Sequence, residues 1–168
     1  SEHVPDRPRP RLLIGHSNGG FMAFRMACDH ADQITAIVSL NGASWNDPAR
    51  CRPSEPVSVL AVHSSTDETI AFTGGVIGSA TYPSAAATVA QWVSYDRCAG
   101  AGRDAPALDI VTDLPAAETS VRTYKQGCAR GSTVQAWTIN GGTHVPHFGP
   151  AFIPAVTDFL LAQAKPTP

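Results

Sequence analysis

Four short apolar runs punctuate the chain: Arg11 to Ile14, Ala36 to Leu40, Val57 to Val62 and Val134 to Ile139. The last three are largely β-branched and bounded by Gly, Asn, Pro or Ser, the pattern of strands buried in a largely parallel sheet. Between them the spacing turns helical. Asn18 to His30 carries Phe21, Met22, Phe24, Met26 and Ala27 around nearly its whole circumference, which predicts an interior helix packed on most sides. Ser84 to Cys98 gathers Val89, Trp92, Val93 and Tyr95 on one face and follows Tyr82-Pro83, a helix entry. Pro154 to Lys165 aligns Val156, Phe159, Leu160 and Ala164 and stops before Pro166. Ser120 to Lys125 alternates, which predicts an antiparallel partner for Val134 to Ile139, whereas the polar, Gly/Pro-punctuated Ala99 to Pro115 reads as loop. Strand and helix alternate, so the expected architecture is a three-layer α/β sandwich around a mostly parallel sheet. With no repeat, low-complexity tract or linker, residues 1–168 read as a single domain.

Composition narrows the function classes. A chain of 168 residues that is 43% hydrophobic has material for one sizeable core. The net charge of −2 and the scatter of Lys and Arg leave no basic field for a phosphate backbone, so nucleic acid is not an expected partner. No apolar run approaches the roughly 20 residues that cross a bilayer, and Ser1 to Pro10 is polar, Pro-rich and unlike a signal peptide; no membrane partner is expected. The four cysteines, Cys28, Cys51, Cys98 and Cys128, contain no Cys-X-X-Cys. They predict two disulfides rather than buried free thiols, and with them an oxidising compartment, secreted or periplasmic. The residues alone leave all three pairings open.

The candidate chemistry begins at Gly15-His16-Ser17-Asn18-Gly19, a Gly-X-Ser-X-Gly turn that follows a strand and opens a helix. That context places a serine on a sharp turn with its hydroxyl above the sheet. Side chains at Gly15 and Gly19 are expected to collide with the helix and strand packed across the turn. The backbone N–H of Asn18, at the positive end of the helix, is placed to face an oxyanion. A serine needs an imidazole to accept its proton and a carboxylate to orient that imidazole. In the order serine, acid, histidine, Asp67 follows the strand Val57 to Val62, and His144 follows Val134 to Ile139 in a Gly-rich loop. Glu68 is the competing acid and His147 the competing base, while His63 at a strand end reads as a packed residue. His144-Val145-Pro146-His147 is not read as a metal pair, because the proline breaks the helical spacing. Trp45, in the loop after Ala36 to Leu40, and His16, beside the serine, are the candidate substrate-binding residues.

Four segments carry a family resemblance: Gly15-His16-Ser17-Asn18-Gly19-Gly20-Phe21-Met22-Ala23-Phe24-Arg25, Pro56 to His63 with Asp67, Gly74-Gly75, and Asn140-Gly141-Gly142-Thr143-His144. They resemble the extracellular polyhydroxybutyrate depolymerase and feruloyl esterase branch of the α/β-hydrolases, from about Arg11 to Leu161. The resemblance implies Ser17 as nucleophile, Asp67 as acid and His144 as base, no metal or organic cofactor, and a small-molecule or polymeric ester as substrate. It also implies a Cys98–Cys128 disulfide, which leaves Cys28 with Cys51. Two departures stand out: Ser64-Ser65-Thr66 precedes the acid where the family has a small pair such as Gly-Thr, and Val145 follows His144 where Trp-Pro is common. Members of the family place on the order of a hundred residues before the serine, including a loop with the second oxyanion donor. The expectation is therefore a carboxyl-terminal portion lacking the strands that normally precede the turn, completed by a companion chain or a further N-terminal segment. An acyltransferase or peptidase of the same fold, or a non-catalytic binding or assembly module, are the alternative readings.

Overall fold

The computed structural model describes residues 10–163. The elements run β1 (Leu12–His16), α1 (Asn18–Asp29), β2 (Ala36–Leu40), β3 (Ser58–Ser64), β4 (Gly75–Ile77), β5 (Ala80–Tyr82), α2 (Ala85–Tyr95), β6 (Arg103–Leu108), β7 (Thr119–Tyr124), β8 (Val134–Ile139) and α3 (Phe152–Leu161). Six strands form one sheet in the order β1-β2-β3-β8-β7-β6, and β4 and β5 form a separate hairpin. β1, β2, β3 and β8 pair in parallel, and β7 and β6 continue the sheet antiparallel.

Alternation along the strands sorts the core into two layers. Ile37, Val57, Val59 and Val134 meet Ala23, Phe24 and Ala27 of α1 and Trp92 of α2 on one face. Ala36, Val38, Leu40, Leu60, Val62 and Ile139 meet Phe152, Val156 and Phe159 of α3 on the other. This is a mixed α/β fold with helices on both faces of a mostly parallel sheet. Every residue of β2 is buried, as its β-branched run predicts for a central parallel strand. Because β1, β2, β3 and β8 are parallel, the loops carrying Ser17, Asn41, Asp67 and His144 emerge at one carboxyl edge.

Three expectations are corrected. Helix α1 is not packed on most sides: Asn18, Met22 and Arg25 form an exposed stripe, with Met22 54% exposed, because α1 lies over β1, which has no further strand beside it among the described residues. The span Ala99 to Pro115 is not all loop, since it contains the edge strand β6. Pro106 hides it. Proline cannot donate to a ladder and is tolerated only at an edge or bulge, and the β6–β7 register shifts between Ala105 and Leu108. Helix α3 begins earlier than expected, at Phe152, with Pro154 in its first turn where no N–H is missed. It also ends earlier, at Leu161, short of the expected Lys165; Lys165 itself and the segment Ser1 to Arg9 lie outside the described residues.

The disulfides are Cys28–Cys51 and Cys98–Cys128. The first ties the end of α1 to the loop before β3, and the second ties the chain just after α2 to the loop before β8. Beside the second lies Asp96, fully buried, whose Oδ1 accepts the Val57 N–H at 3.2 Å. Burial pushes its carboxyl from the ordinary 3.8 up to about 6, against the lowering effect of Ser132 and the Val57 amide. The folded state therefore takes up a proton between about pH 6 and pH 4 that the unfolded chain does not. Asp96 costs stability above pH 6, on the order of 2–3 kcal/mol, and this cost disappears as the pH falls toward 4. Asp96→Asn is expected to melt at a higher temperature than the parent at pH 7.5, with the gap shrinking at pH 5. An equal gap at both pH values in thermal melts contradicts this.

Candidate active site

The turn from β1 into α1 is set by close approach. A Cβ on Gly15 would lie 2.1 Å from the Gly19 carbonyl oxygen, so only glycine fits. Gly19, expected to be equally crowded, faces open space, and the crowded partner is Gly20, where a Cβ would meet Ser39 Oγ at 2.7 Å. The contact that matters is thus between α1 and β2, one residue further along the helix. Ser17 itself sits at φ 56°, ψ −119°, a backbone state that costs a non-glycine residue about 1–3 kcal/mol and lifts the side chain off the sheet. The Asn18 N–H makes no hydrogen bond among the described residues.

The structure brings Ser17, Asp67 and His144 together. His144 Nε2 lies 2.9 Å from Ser17 Oγ, and His144 Nδ1 lies 2.8 Å from Asp67 Oδ2 and 3.0 Å from Oδ1. The Asp67 side chain is fully buried, and its Oδ1 also accepts the N–H groups of Thr69 and Ile70 at 2.8 Å each. Those bonds fix the carboxylate, and Nδ1–H donation to it leaves Nε2 of His144 as an acceptor for the serine proton.

The competing residues lie elsewhere. Glu68 is exposed, and His147 pairs on the surface with Asp113 at 3.1 Å. His63 is buried as a packed residue, with Nε2 2.8 Å from the Ile70 carbonyl and its ring edge-on to Phe72. Burial lowers its pKa, opposed in part by the Ile70 carbonyl and Asp67.

The unusual Ser64-Ser65-Thr66 segment binds the base loop to the acid turn: Ser65 Oγ accepts the Gly141 N–H at 2.8 Å and Thr66 Oγ1 donates to the Gly142 carbonyl at 2.7 Å. His16, expected on the substrate side, has Nε2 2.7 Å from the His144 carbonyl oxygen. Asn41 donates to that same oxygen at 2.8 Å. Sequence reasoning missed Asn41, and its only signal is an Asn directly after a buried strand, a common turn residue.

Trp45 is half-buried and lines a cavity of about 280 Å³ with Asn18, Phe21, Met22, Arg25 and Ser44, near the small end of the roughly 300–1,000 Å³ typical of ligand sites. The guanidinium carbons of Arg50 and Arg25 lie 4.1 Å and 5.2 Å from its ring centroid. A second cavity of about 340 Å³ lies between α2 and strands β3, β8 and β7. It reaches His63; neither cavity is lined by Ser17, Asp67 or His144, and the smaller one includes Asn18, the residue directly after Ser17.

Sheet and site together are compatible with an α/β-hydrolase-like fold. No family model matches the chain. It is 30% identical over 145 residues to "Putative esterase NocK" of Nocardia uniformis, an alignment covering 78% of this chain and 40% of that protein. It is 29% identical over 132 residues to "Feruloyl esterase D" of Neurospora crassa, covering 79% of this chain and 39% of that one. The chain is a distant relative of proteins named as esterases, and spans about two fifths of their length.

Proposed function

We propose that this chain carries the reacting centre of a serine-dependent carboxylic-ester hydrolase that works through an acyl-enzyme. The hydrogen-bonded relay Ser17–His144–Asp67 carries this reading. Ser17 Oγ attacks the ester carbonyl while His144 Nε2 takes its proton, and Asp67 holds the imidazole and stabilises its cationic form. The Asn18 N–H, at the positive end of α1, stabilises the oxyanion. As the tetrahedral intermediate collapses, His144 returns the proton to the departing alcohol, and water then attacks the acyl-serine by the same route.

The substrates are esters of aromatic feruloyl-type, hydroxyalkanoate or short-chain acids, and the Trp45 cavity receives the apolar or aromatic part. No helix among the described residues is long and apolar enough to cross a membrane, and two disulfides support a secreted or periplasmic setting. The edge of β1, unpaired among the described residues, with Ile14 and Met22 each 54% exposed, supports a further polypeptide segment over this side, and such a segment would be the source of a second oxyanion donor. An intact mass of the purified material under denaturing conditions tests for such a segment.

The reading is tested with a paired ester and amide of one aromatic acid. The ester is expected to turn over far faster, and Trp45→Ala to raise its KM about tenfold or more, as loss of an aromatic contact of at least 1.4 kcal/mol does. Equal turnover of the amide points to a peptidase instead, and an unchanged KM removes Trp45 from the substrate site.

A further inference from the structure

His144 has far to travel. Its strand, β8, is separated from β1 by β3 and β2, so at about 4.8 Å per strand the base must be carried roughly 14 Å across the strand ends to meet Ser17. Its loop crosses close to the sheet: a Cβ on Gly142 would meet Ser64 Oγ at 2.9 Å. Midway along this crossing stands Asn41, the first residue after β2, 2% exposed and at φ 49°, a left-handed conformation that Asn tolerates better than most residues. Both arms of its side chain are engaged. Oδ1 accepts the Ser64 N–H at 2.7 Å, which fixes Nδ2 as the end that donates to the His144 carbonyl at 2.8 Å, with longer contacts of 3.4 Å to the Thr143 carbonyl and Ser64 Oγ. His16 Nε2, at the end of β1, reaches the same His144 oxygen at 2.7 Å, with the two imidazole centroids 4.9 Å apart.

We propose that Asn41, assisted by His16, is a positioning residue that clamps the main chain of the base loop across β2 and β3, so that the His144 ring spans Ser17 and Asp67. The proposal rests on the acyl-serine reading for its effect on rate. Neither residue touches the reacting atoms. Asn suits the place because one group supplies both an acceptor for β3 and a donor for the loop. Aspartate keeps the acceptor but sets an oxygen lone pair against the His144 carbonyl.

The test compares the parent with Asn41→Asp, Asn41→Gly and His16→Ala, by ester kinetics below the melting transition and by the low-field proton resonance of the Nδ1–H that His144 shares with Asp67. Glycine accepts the left-handed backbone while removing both arms, and His16 is exposed, so its replacement does not threaten the core. Because a misplacement of about 1 Å costs on the order of 100-fold, both Asn41 variants are expected to lose about 10- to 100-fold in kcat with KM within about threefold. Their low-field resonance is expected to broaden or vanish, and His16→Ala to lose a few-fold in kcat. Folded variants with parental kcat and an intact resonance overturn the clamp. If the parent hydrolyses no ester but its resonance is present and is lost in the Asn41 variants, the clamp stands and the acyl-serine reading falls.

Discussion

On the proposed acyl-serine mechanism, replacing Ser17 or His144 by alanine is expected to lower kcat for ester hydrolysis by about a million-fold, and the double variant to be no worse than either single one. The two side chains share one proton along a 2.9 Å contact, so removing either leaves the other without its task. What remains is expected to come from oxyanion stabilisation and binding. The melting temperatures will separate this loss from unfolding. Ser17 at φ 56° is a strained position, and Ser17→Gly is expected to be as inactive as Ser17→Ala yet more stable than the parent, since glycine adopts positive φ at no steric cost. Activity assays and thermal melts on the same preparations check both halves. Singles that multiply in the double variant contradict a shared relay.

The largest effect on stability is expected at Gly15. An alanine there drives its Cβ to 2.1 Å from the Gly19 carbonyl oxygen and 2.3 Å from its carbon. Both are backbone atoms of the first turn of α1, and that turn is locked against β2 by the Gly20 contact. No side chain can swing away, so the helix must shift and break its fit to the sheet. Overpacking of this kind costs about 3 kcal/mol or more, a large fraction of the roughly 5–15 kcal/mol that holds an ordinary domain folded. Gly19→Ala, two positions after the serine, meets nothing within 4 Å and is expected to be neutral or to gain up to about 1 kcal/mol from helix propensity. Chemical denaturation of the two variants side by side decides it, and equal losses contradict the geometry of this turn.

That contrast also marks what the sequence made legible. The strand, turn and helix around Ser17 could be placed because Gly15 and Ser17 sit where a short apolar run gives way to helical spacing. Asp67 and His144 could be placed because each follows a buried, β-branched run. Residue types alone do not reveal contacts made across the sheet. Gly19 and Gly20 are adjacent and identical in chemistry, and only the approach of β2 separates them. Asn41 looks like any turn residue until the strand order puts it beneath the His144 loop, and Pro106 disguises β6 because its missing N–H matters only in a central strand. The hairpin of β4 and β5 has three residues in each strand, too few for a period to register.

The most direct measurement is the mass of the folded protein after reaction with a fluorophosphonate, which bonds only to a serine whose proton a neighbouring base removes. One adduct per chain, mapped to Ser17 and lost in Ser17→Ala and His144→Ala, is the predicted result. Folded protein that takes up no adduct, or takes it up at a residue other than Ser17, would contradict the account and favour a binding module built on a hydrolase-like frame.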